Sequence, residues 1–346
     1  MSEVVEYLAE LTGFRDRDVL DVTLVGALKD LLRPDGVAIY RCVGEGDERR
    51  WLTRARLDRG DQTATADPLW AELETLPRLD ANPARHACLL CQQPMAMDAV
   101  ADAPALSLFP LSTDREVVGV LEITSAQPLQ AEQMRLVCSI LRIYRNFQGL
   151  LDYSERDTLT GLLNRKTFDE AFMRSASAPA ASEIPAPSGL RRTGGDRSVW
   201  LALIDIDHFK LVNDSHGHLI GDEVLLLLAR LMRSSFRFGD QLYRFGGEEF
   251  VVLMRCANDA DAAHAMERLR RNIERYVFPR VGHITVSIGY TELRVGDTPS
   301  SAFERADKSV YYAKQHGRNQ VIGHATLVSS GHLVDDSARS GDMELF

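Results

Sequence analysis

Residues 200–222 decide the fold of the second half of the chain, and they read WLALIDIDHFKLVNDSHGHLIGD. The segment 199–204 is apolar on both faces, as expected for a central strand buried within a sheet. It leads into two carboxylates, Asp205 and Asp207, which are costly to bury unless a cation meets them. Because Lys210 follows closely, we expect this cation to be Mg²⁺ shared with phosphate groups.

Small and polar residues separate this strand from an apolar helix predicted over residues 223–233. They are Asn213, Gly217, His218, Gly221 and Asp222. Taken alone, Asp222 is explained equally well as the cap of that helix, because an aspartate accepts hydrogen bonds from the first backbone N–H groups of a helix.

Residues 243–254 read YRFGGEEFVVLM and predict a β-hairpin. Gly246 and Gly247 supply the two-residue turn, and glycine also lets a backbone or a ligand approach closely. The hairpin does not explain the adjacent glutamates, Glu248 and Glu249. On a strand they would face opposite sides, so that a metal ligand and a base are both geometrically available.

Residues 302–321 read AFERADKSVYYAKQHGRNQV and predict a helix up to His316, ended by Gly317. Lys314 and Arg318 are then one turn apart, an arrangement that can grip a phosphate chain. The alternative is a solvated helix end that favours cations because of the helix dipole.

Residues 1–129 predict a separate α/β domain. Helices are expected over 4–11 and 18–32, and strands over 36–42, 51–55, 105–110 and 116–124. This order of elements and the pattern FPL…VVGVLEI within residues 109–123 resemble the GAF/PAS class of sensor domains. That resemblance implies a small-molecule ligand, whose identity the sequence does not give.

Residues 130–156 contain no proline and predict one long signalling helix. Two apolar stripes run along it: Leu136, Ile140, Ile143, Phe147 and Leu150, and beside them Met134, Val137, Leu141, Tyr144 and Leu151. Such stripes suit a parallel two-helix coiled coil. The alternative is a helix that closes its own domain, and both hold if the first half packs and the second half coils.

Composition narrows the function classes. The formal net charge of −10 and pI of about 5.4 argue against general nucleic-acid binding. No apolar run approaches the ~18 residues of a membrane span. The acidic N-terminal residues lack the positive region of a signal peptide, so we expect a cytoplasmic protein without a membrane partner.

The cysteines indicate reduced thiols, because they are sparse and odd in number. They are Cys42, Cys88, Cys91, Cys138 and Cys256. Cys88 and Cys91 form a CxxC with His86 nearby, but a structural metal site normally needs a second ligand pair. We interpret them as ordinary thiols, with metal or redox sensing as the alternative.

Four motifs, spaced in order, resemble the GGDEF family of diguanylate cyclases. They are DTLTGLLNR at 157–165, DIDHFKLVND with GHLIGD across 205–222, GGEEF at 246–250 and AKQHGRN at 313–319. The resemblance assigns residues 157–325 to such a domain and 326–346 to a tail. Residues 175–198, rich in Ala, Pro and Ser, depart from the family pattern and predict a flexible surface insertion.

The resemblance implies a palm-like βαββαβ fold that condenses two GTP into cyclic di-GMP and two pyrophosphates. Because each domain holds one GTP, it also implies a homodimer. Mg²⁺, or Mn²⁺ in its place, is expected on Asp205, the Ile206 carbonyl, Glu248 and Glu249. Glu248 is the expected base for the ribose 3′-hydroxyl, with Lys210 as the second catalytic residue. Substrate binding is expected at Phe209, Asn213, His218, Asp222, Gly246, Gly247, Lys314 and Arg318, with Asn213 and Asp222 on the guanine edge.

Arg237 and Asp240 form an RxxD motif nine residues before Gly246, where the family carries its product-inhibition site. Arg268 is expected to supply a second arginine contact to cyclic di-GMP. The alternative function is a catalytically silent GGDEF domain that binds cyclic di-GMP or GTP as an effector. Silent members usually lose the signature carboxylates, and Asp205, Glu248 and Glu249 are all present here.

Overall fold

A computed structural model describes residues 17–44, 46–68, 71–99, 103–113, 117–177 and 198–334. The chain divides into two compact units, residues 1–154 and 155–346. The helix expected at 4–11 lies outside the described residues. In the sequence-based division, residues 130–156 formed a segment of their own, whereas nearly all of that helix belongs to the first unit.

The first unit is an antiparallel sheet flanked by helices. Its elements are α1 (Arg17–Leu32), β1 (Gly36–Val43), β2 (Arg50–Asp58), α2 (Pro83–Cys91), β3 (Met95–Met97), β4 (Ala105–Ser112), β5 (Val117–Ser125) and α3 (Ala131–Glu155). Among the described residues, the strands form a five-stranded sheet in the order β2–β1–β5–β4–β3. Both strand pairs expected from the sequence are present and hydrogen-bonded.

Helix α3 packs against the core of its own unit along both halves. Val137 and Ile140 in the first half, and Tyr144 and Leu151 in the second, are buried in one cluster with residues of α1 and the sheet. Leu150, expected in a coiled-coil stripe, is 66% exposed. Both halves of the helix therefore pack against the first unit, and the coiled coil stays a prediction, because Leu150 leaves an apolar side chain exposed in the second half.

The second unit is built on a mixed sheet. Its elements are β6 (Leu163–Asn164), α4 (Arg165–Ser177), β7 (Ser198–Ile206), α5 (Phe209–His216), α6 (His218–Ser235), β8 (Gln241–Gly246), β9 (Glu249–Cys256), α7 (Asp259–Arg275), β10 (Val277–Phe278), β11 (Gly282–His283), β12 (Val286–Glu292), α8 (Pro299–Gln315), β13 (Val321–Gly323) and α9 (His324–Ser329). The described part of its main sheet runs β13–β12–β7–β9–β8–β6. The succession β7, α6, β8, β9, α7, β12 is the expected βαββαβ core.

Strand β7 is the buried central strand that the sequence predicts. Trp200, Ala202 and Ile204 contribute to the core on one face of the sheet, and Leu201 and Leu203 to the core on the other. Because both faces are covered, the strand holds whatever follows it in a fixed position. The carboxylates at its end are therefore placed by packing on two sides.

Two expectations at the edges of this unit need correction. Helix α4 extends to Ser177, so the first residues of the insertion expected at 175–198 are helical. The first residues of the tail expected at 326–346 are instead helical, because helix α9 extends to Ser329. Within this helix, His324 and Leu327 are both 3% exposed. Burial of the Leu327 side chain gives this short helix a reason to form. Residues 178–197 and 335–346 lie outside the described residues.

Within the described ranges, the structure contains no helix with the length and apolarity needed to cross a bilayer.

Candidate active site

Asp205 stands at the buried end of β7. It lies opposite Glu249 of β9 on one side and opposite Ser287 of β12 on the other. The Lys314 ammonium nitrogen lies 2.7 Å from its Oδ1 atom. Burial raises the pKa of Asp205, and the hydrogen bond and charge of Lys314 oppose that rise. The end of the strand therefore holds a carboxylate whose charged form depends on a cation.

The β8–β9 turn differs in register from the sequence prediction. Gly246 pairs with Glu249, so the two turn residues are Gly247 and Glu248 instead of Gly246 and Gly247. Gly247 has φ +51°, a left-handed conformation that glycine adopts at low cost. Glu248 therefore sits on the turn and not on a strand, so the expectation that the two glutamates face opposite sides of one strand is wrong.

Glu248 is half-buried and close enough to Asp205 for the two charges to interact. Burial raises the pKa of Glu248, the charge of Asp205 raises it further, and the Lys314 ammonium opposes both. Glu249 is exposed beside it. Asp205, Glu248 and Lys314 thus form one charged cluster, drawn from the ends of β7 and α8 and from the turn.

Asp207 does not belong to this cluster. The hydroxyl groups of Thr285 and Ser287 donate hydrogen bonds to its carboxylate at 2.7 Å each, and the backbone N–H of Asn319 donates a third at 3.0 Å. The prediction that a cation compensates both aspartates is wrong for Asp207. Neutral donors satisfy it, and it fixes the turn after α8 to the end of β7.

Arg318 is not one helical turn from Lys314. Helix α8 ends at Gln315, and Gly317 and Arg318 follow in left-handed backbone with φ +107° and +60°. The Arg318 N–H donates to the Ala313 carbonyl at 2.9 Å, and its side chain is exposed. The glycine reverses the chain, so the arginine leaves the helix axis instead of continuing its surface.

Helices α5 and α6 meet where Asn213 lies against Gly221. A Cβ atom on Gly221 would come within 2.0 Å of the Asn213 Oδ1 atom, so a larger residue there would require the Asn213 amide to move. Phe209 is 4% exposed and packs into the core beneath. Helix α6 starts at His218 after the cap residue Gly217, so Asp222 lies inside the helix and is not its cap. The side chains of Lys210, His218 and Asp222 are exposed.

The sequence reasoning missed Arg244. Its guanidinium donates to the Gly247 carbonyl at 2.9 and 3.2 Å and to Asp157 Oδ1 at 3.0 Å. Asp157 also accepts from the Thr160 N–H and hydroxyl groups, and although burial raises its pKa, these bonds lower it on balance. Arg244 thus links the turn to residues 157–160. An arginine two residues before the paired glycines was the available signal.

The structure brings together the three residues expected to bind product. The Arg237 N–H donates to Asp240 Oδ2 at 2.9 Å, and the Arg268 guanidinium donates to the Ser235 carbonyl at 2.6 and 3.1 Å. Burial raises the pKa of Asp240 to about 6, although the backbone N–H of Arg237 and the charges of Arg237 and Arg268 oppose the rise.

The CxxC segment does not resemble a metal centre. Cys88 is buried and Cys91 exposed, and each Sγ atom lies 3.6 Å from the Gln93 carbonyl oxygen. Burial raises the pKa of Cys88 to about 12, so its thiol stays protonated at neutral pH. Across the described part of the chain, no three His, Cys, Asp or Glu side chains are grouped to hold a metal by themselves.

Residues 154–320 match the family model described as "Diguanylate cyclase, GGDEF domain". Over these residues the second unit of the chain is therefore similar to the GGDEF domains of diguanylate cyclases.

Among curated relatives, diguanylate cyclase DgcZ of Escherichia coli is 36% identical over 172 residues, 49% of this chain and 53% of DgcZ. Response regulator PleD of Caulobacter vibrioides is 37% identical over 223 residues, 60% of this chain and 46% of PleD. The chain thus spans about half the length of these two relatives. The crystal structure of the coiled coil and GGDEF domain of DgcB from Caulobacter crescentus in complex with c-di-GMP is 29% identical and has a TM-score of 0.47. The match covers 56% of this chain and 100% of the chain in that crystal structure.

Proposed function

We propose that this protein is a diguanylate cyclase that condenses two GTP molecules into cyclic di-GMP and two pyrophosphates. The observation that carries the proposal is the cluster of Asp205, Glu248 and Lys314, which places two carboxylates and an ammonium group beside an open glycine turn. A Cβ atom built on Gly246 or Gly247 meets nothing within 4 Å, so the described residues leave space against this backbone.

The donor set fits Mg²⁺. Asp205, the Ile206 carbonyl and Glu248, with Glu249 assisting, would supply the hard oxygen ligands that Mg²⁺ prefers. Mg²⁺ commonly binds through one or two carboxylates together with substrate phosphates, so Asp205 and Glu248 would hold it jointly with the triphosphate. When bound, the ion would stabilise negative charge on the transferring phosphoryl group.

Glu248 is suited to act as the base. Its raised pKa, caused by burial and by the charge of Asp205, brings its proton affinity closer to that needed to accept the 3′-hydroxyl proton at neutral pH. Lys314, which contacts Asp205 directly, Lys210 and Arg318 would hold the triphosphate. Phe209, the first residue of helix α5, would support the triphosphate site from the core, and His218 would line that site.

Asn213 and Asp222 would read the guanine edge, because an amide and a carboxylate supply donors and acceptors that guanine matches and adenine does not. Each GGDEF domain would hold one GTP. The product therefore requires two domains to face each other, and we propose a homodimer.

We further propose that the first unit is a GAF-like sensor domain with a small-molecule ligand, and that it controls the second unit. Its antiparallel sheet in the order β2–β1–β5–β4–β3, with α3 packed against it, supports this proposal. Arg237, Asp240 and Arg268 would form a product-inhibition site. The cytoplasmic location stays a prediction from the sequence.

The deciding experiment incubates the full chain with GTP and Mg²⁺ and measures cyclic di-GMP and pyrophosphate. We expect two pyrophosphates per cyclic di-GMP, and little turnover when ATP replaces GTP. Omission of the divalent ion is the matched control. Tight binding of cyclic di-GMP without any synthesis would instead identify a silent effector domain.

A further inference from the structure

The first unit contains a half-open cleft between strand β4 and helix α3. Its volume is about 200 Å³. Strand β4 contributes Phe109, Pro110 and Leu111 to its lining, and helix α3 contributes Leu141, Arg142, Tyr144 and Arg145. The cleft is far from the GGDEF motifs in sequence, and its assignment rests on the proposal above that the first unit binds a small-molecule ligand.

The floor and walls of the cleft are largely apolar. Pro110 of β4 is half-buried and lines the cleft above the fully buried Phe109. Leu141 of α3 is half-buried and lines the cleft from the helix side. Such a surface favours a ligand with an apolar body, because transfer of apolar area out of water is the main source of its binding free energy.

Two arginines give the cleft its charge. The Nε atom of Arg145 is buried and has no hydrogen-bond partner within the described residues. Arg142, one turn earlier, is exposed and lines the same cleft. A buried guanidinium donor without a partner is costly, and a carboxylate matches its geometry with paired hydrogen bonds. The charge and the missing partner both indicate an anionic group on the ligand.

The size of the cleft limits the ligand. An apolar cavity of about 150 Å³ holds a benzene molecule, so about 200 Å³ accommodates one ring and a carboxylate. We propose that this cleft binds a small organic carboxylate with a single ring. Its carboxylate lies on Arg145 and Arg142, and its ring lies against Pro110 and Leu141.

Ligand in this cleft would also contact Tyr144. The Tyr144 hydroxyl donates to Asp21 of α1, and accepts from Arg41 at 2.8 Å and from Gln148 at 2.7 Å. Tyr144 thus belongs both to the lining of the cleft and to the polar network that holds helix α3 to the first unit. Occupancy of the cleft should therefore slow hydrogen exchange in α3.

The test uses benzoate as the probe and the full chain as the protein. We expect saturable binding by isothermal titration calorimetry, and at least about tenfold weaker binding of benzamide, its neutral isostere, because a hydrogen bond to a charged group is worth more than a neutral one. Benzoate should also reduce exchange of α3 amides. Failure of benzoate to bind, or equal binding of benzamide, would overturn the proposal.

Two variants and one matched control locate the binding. Arg145→Gln should weaken benzoate at least about tenfold, and Leu141→Trp should abolish binding by filling the cleft. Arg135→Gln removes an exposed arginine from the same helix outside the cleft and should leave benzoate affinity within about twofold. Each variant is checked by its melting temperature, and Leu141→Trp decides the question if Arg145→Gln does not fold. Unchanged affinity in the folded cleft variants contradicts the assignment.

Discussion

Asp21 in the first unit and Asp205 in the second are both buried, with 1% and 8% of their surface exposed, but their surroundings differ. Asp21 accepts from the Tyr144 hydroxyl on one oxygen and from Arg54 Nε at 3.1 Å on the other. Asp205 has a lysine ammonium at 2.7 Å and a second carboxylate close by.

The difference separates a structural carboxylate from a functional one. Asp21 lies on α1 and accepts from donors on β2 and α3, so it ties three elements together. Asp205 lies in an excess of negative charge that one lysine compensates in part, and this is the condition for recruiting a cation and a phosphate chain. We therefore propose that the same residue type serves stability in one unit and chemistry in the other, according to whether neighbouring donors satisfy its carboxylate.

The largest expected effect lies at the functional carboxylates. Glu248→Gln keeps the shape of the side chain but removes its charge and its ability to take a proton. We expect cyclic di-GMP synthesis to fall about 10²–10⁴-fold, the typical contribution of general-base catalysis, with an unchanged melting temperature. Initial rates with GTP measure the effect. Retention of more than about a tenth of the rate would remove Glu248 from the role of base.

Glu304→Gln is the matched control for that substitution. Glu304 is exposed on α8 and forms an ion pair with Lys308 at 3.0 Å. We expect it to leave synthesis and stability nearly unchanged, because exposed ion pairs of this kind contribute little.

The structural carboxylate should behave in the opposite way. Asp21→Ala leaves Arg54 and the Tyr144 hydroxyl without their acceptor, and breaking a buried pair typically costs about 3–5 kcal/mol of unfolding free energy. Urea denaturation measures the loss in the first unit. Asp80→Asn, at an exposed pair with Arg78, is the control and should cost less than about 1 kcal/mol. Equal losses in the two variants would contradict the comparison.

The surroundings of Asp240 are intermediate between those of Asp21 and Asp205. Its carboxylate accepts a hydrogen bond from the backbone N–H of Arg237, and the charges of Arg237 and Arg268 act on it. Arg237→Ala should raise the cyclic di-GMP concentration for half-inhibition by about tenfold or more, since a charge-assisted hydrogen bond is lost. Inhibition is measured relative to the uninhibited rate of each variant. An unchanged half-inhibitory concentration would show that product acts elsewhere.

The smallest expected effect is a pH dependence of that inhibition. The pKa of Asp240 is raised to about 6, so the proton is favoured in the folded chain and is lost as pH rises through 6. Ionised Asp240 accepts hydrogen bonds from guanine, so inhibition should strengthen from pH 5.5 to 7.5. The half-inhibitory concentration should change roughly fourfold, in proportion to the ionised fraction.

Asp240→Asn tests the origin of this pH dependence. The variant retains an acceptor for the Arg237 N–H but does not titrate, so its inhibition by cyclic di-GMP should be flat over the same range. Linkage gives a second readout, because a carboxyl with a raised pKa stabilises the fold most below its unfolded pKa and loses that contribution as pH approaches and passes 6. A wild-type inhibition curve that does not change with pH would exclude Asp240 as the titrating group.

The sequence determined the central strand, the hairpin, the long helix and the motif residues. Alternation and apolar runs reflect local backbone geometry, and a strand buried on both faces is recognisable from residues 199–204 alone. It also selected Asp205, because a carboxylate at the end of a buried strand needs a partner, and the resemblance to the GGDEF family added Glu248 and Lys314. These inferences depend on residues close together in the chain.

Only the tertiary structure decided which of these charges meet. Asp207 looks equivalent to Asp205 in sequence, yet Thr285, Ser287 and Asn319, which come from distant segments, satisfy it with neutral donors. The sequence allowed α3 to pack or to coil, and the core of the first unit shows that side chains from both of its halves pack. Partners of this kind are brought together by sheet register and helix packing across the chain, which the local pattern of residues does not encode.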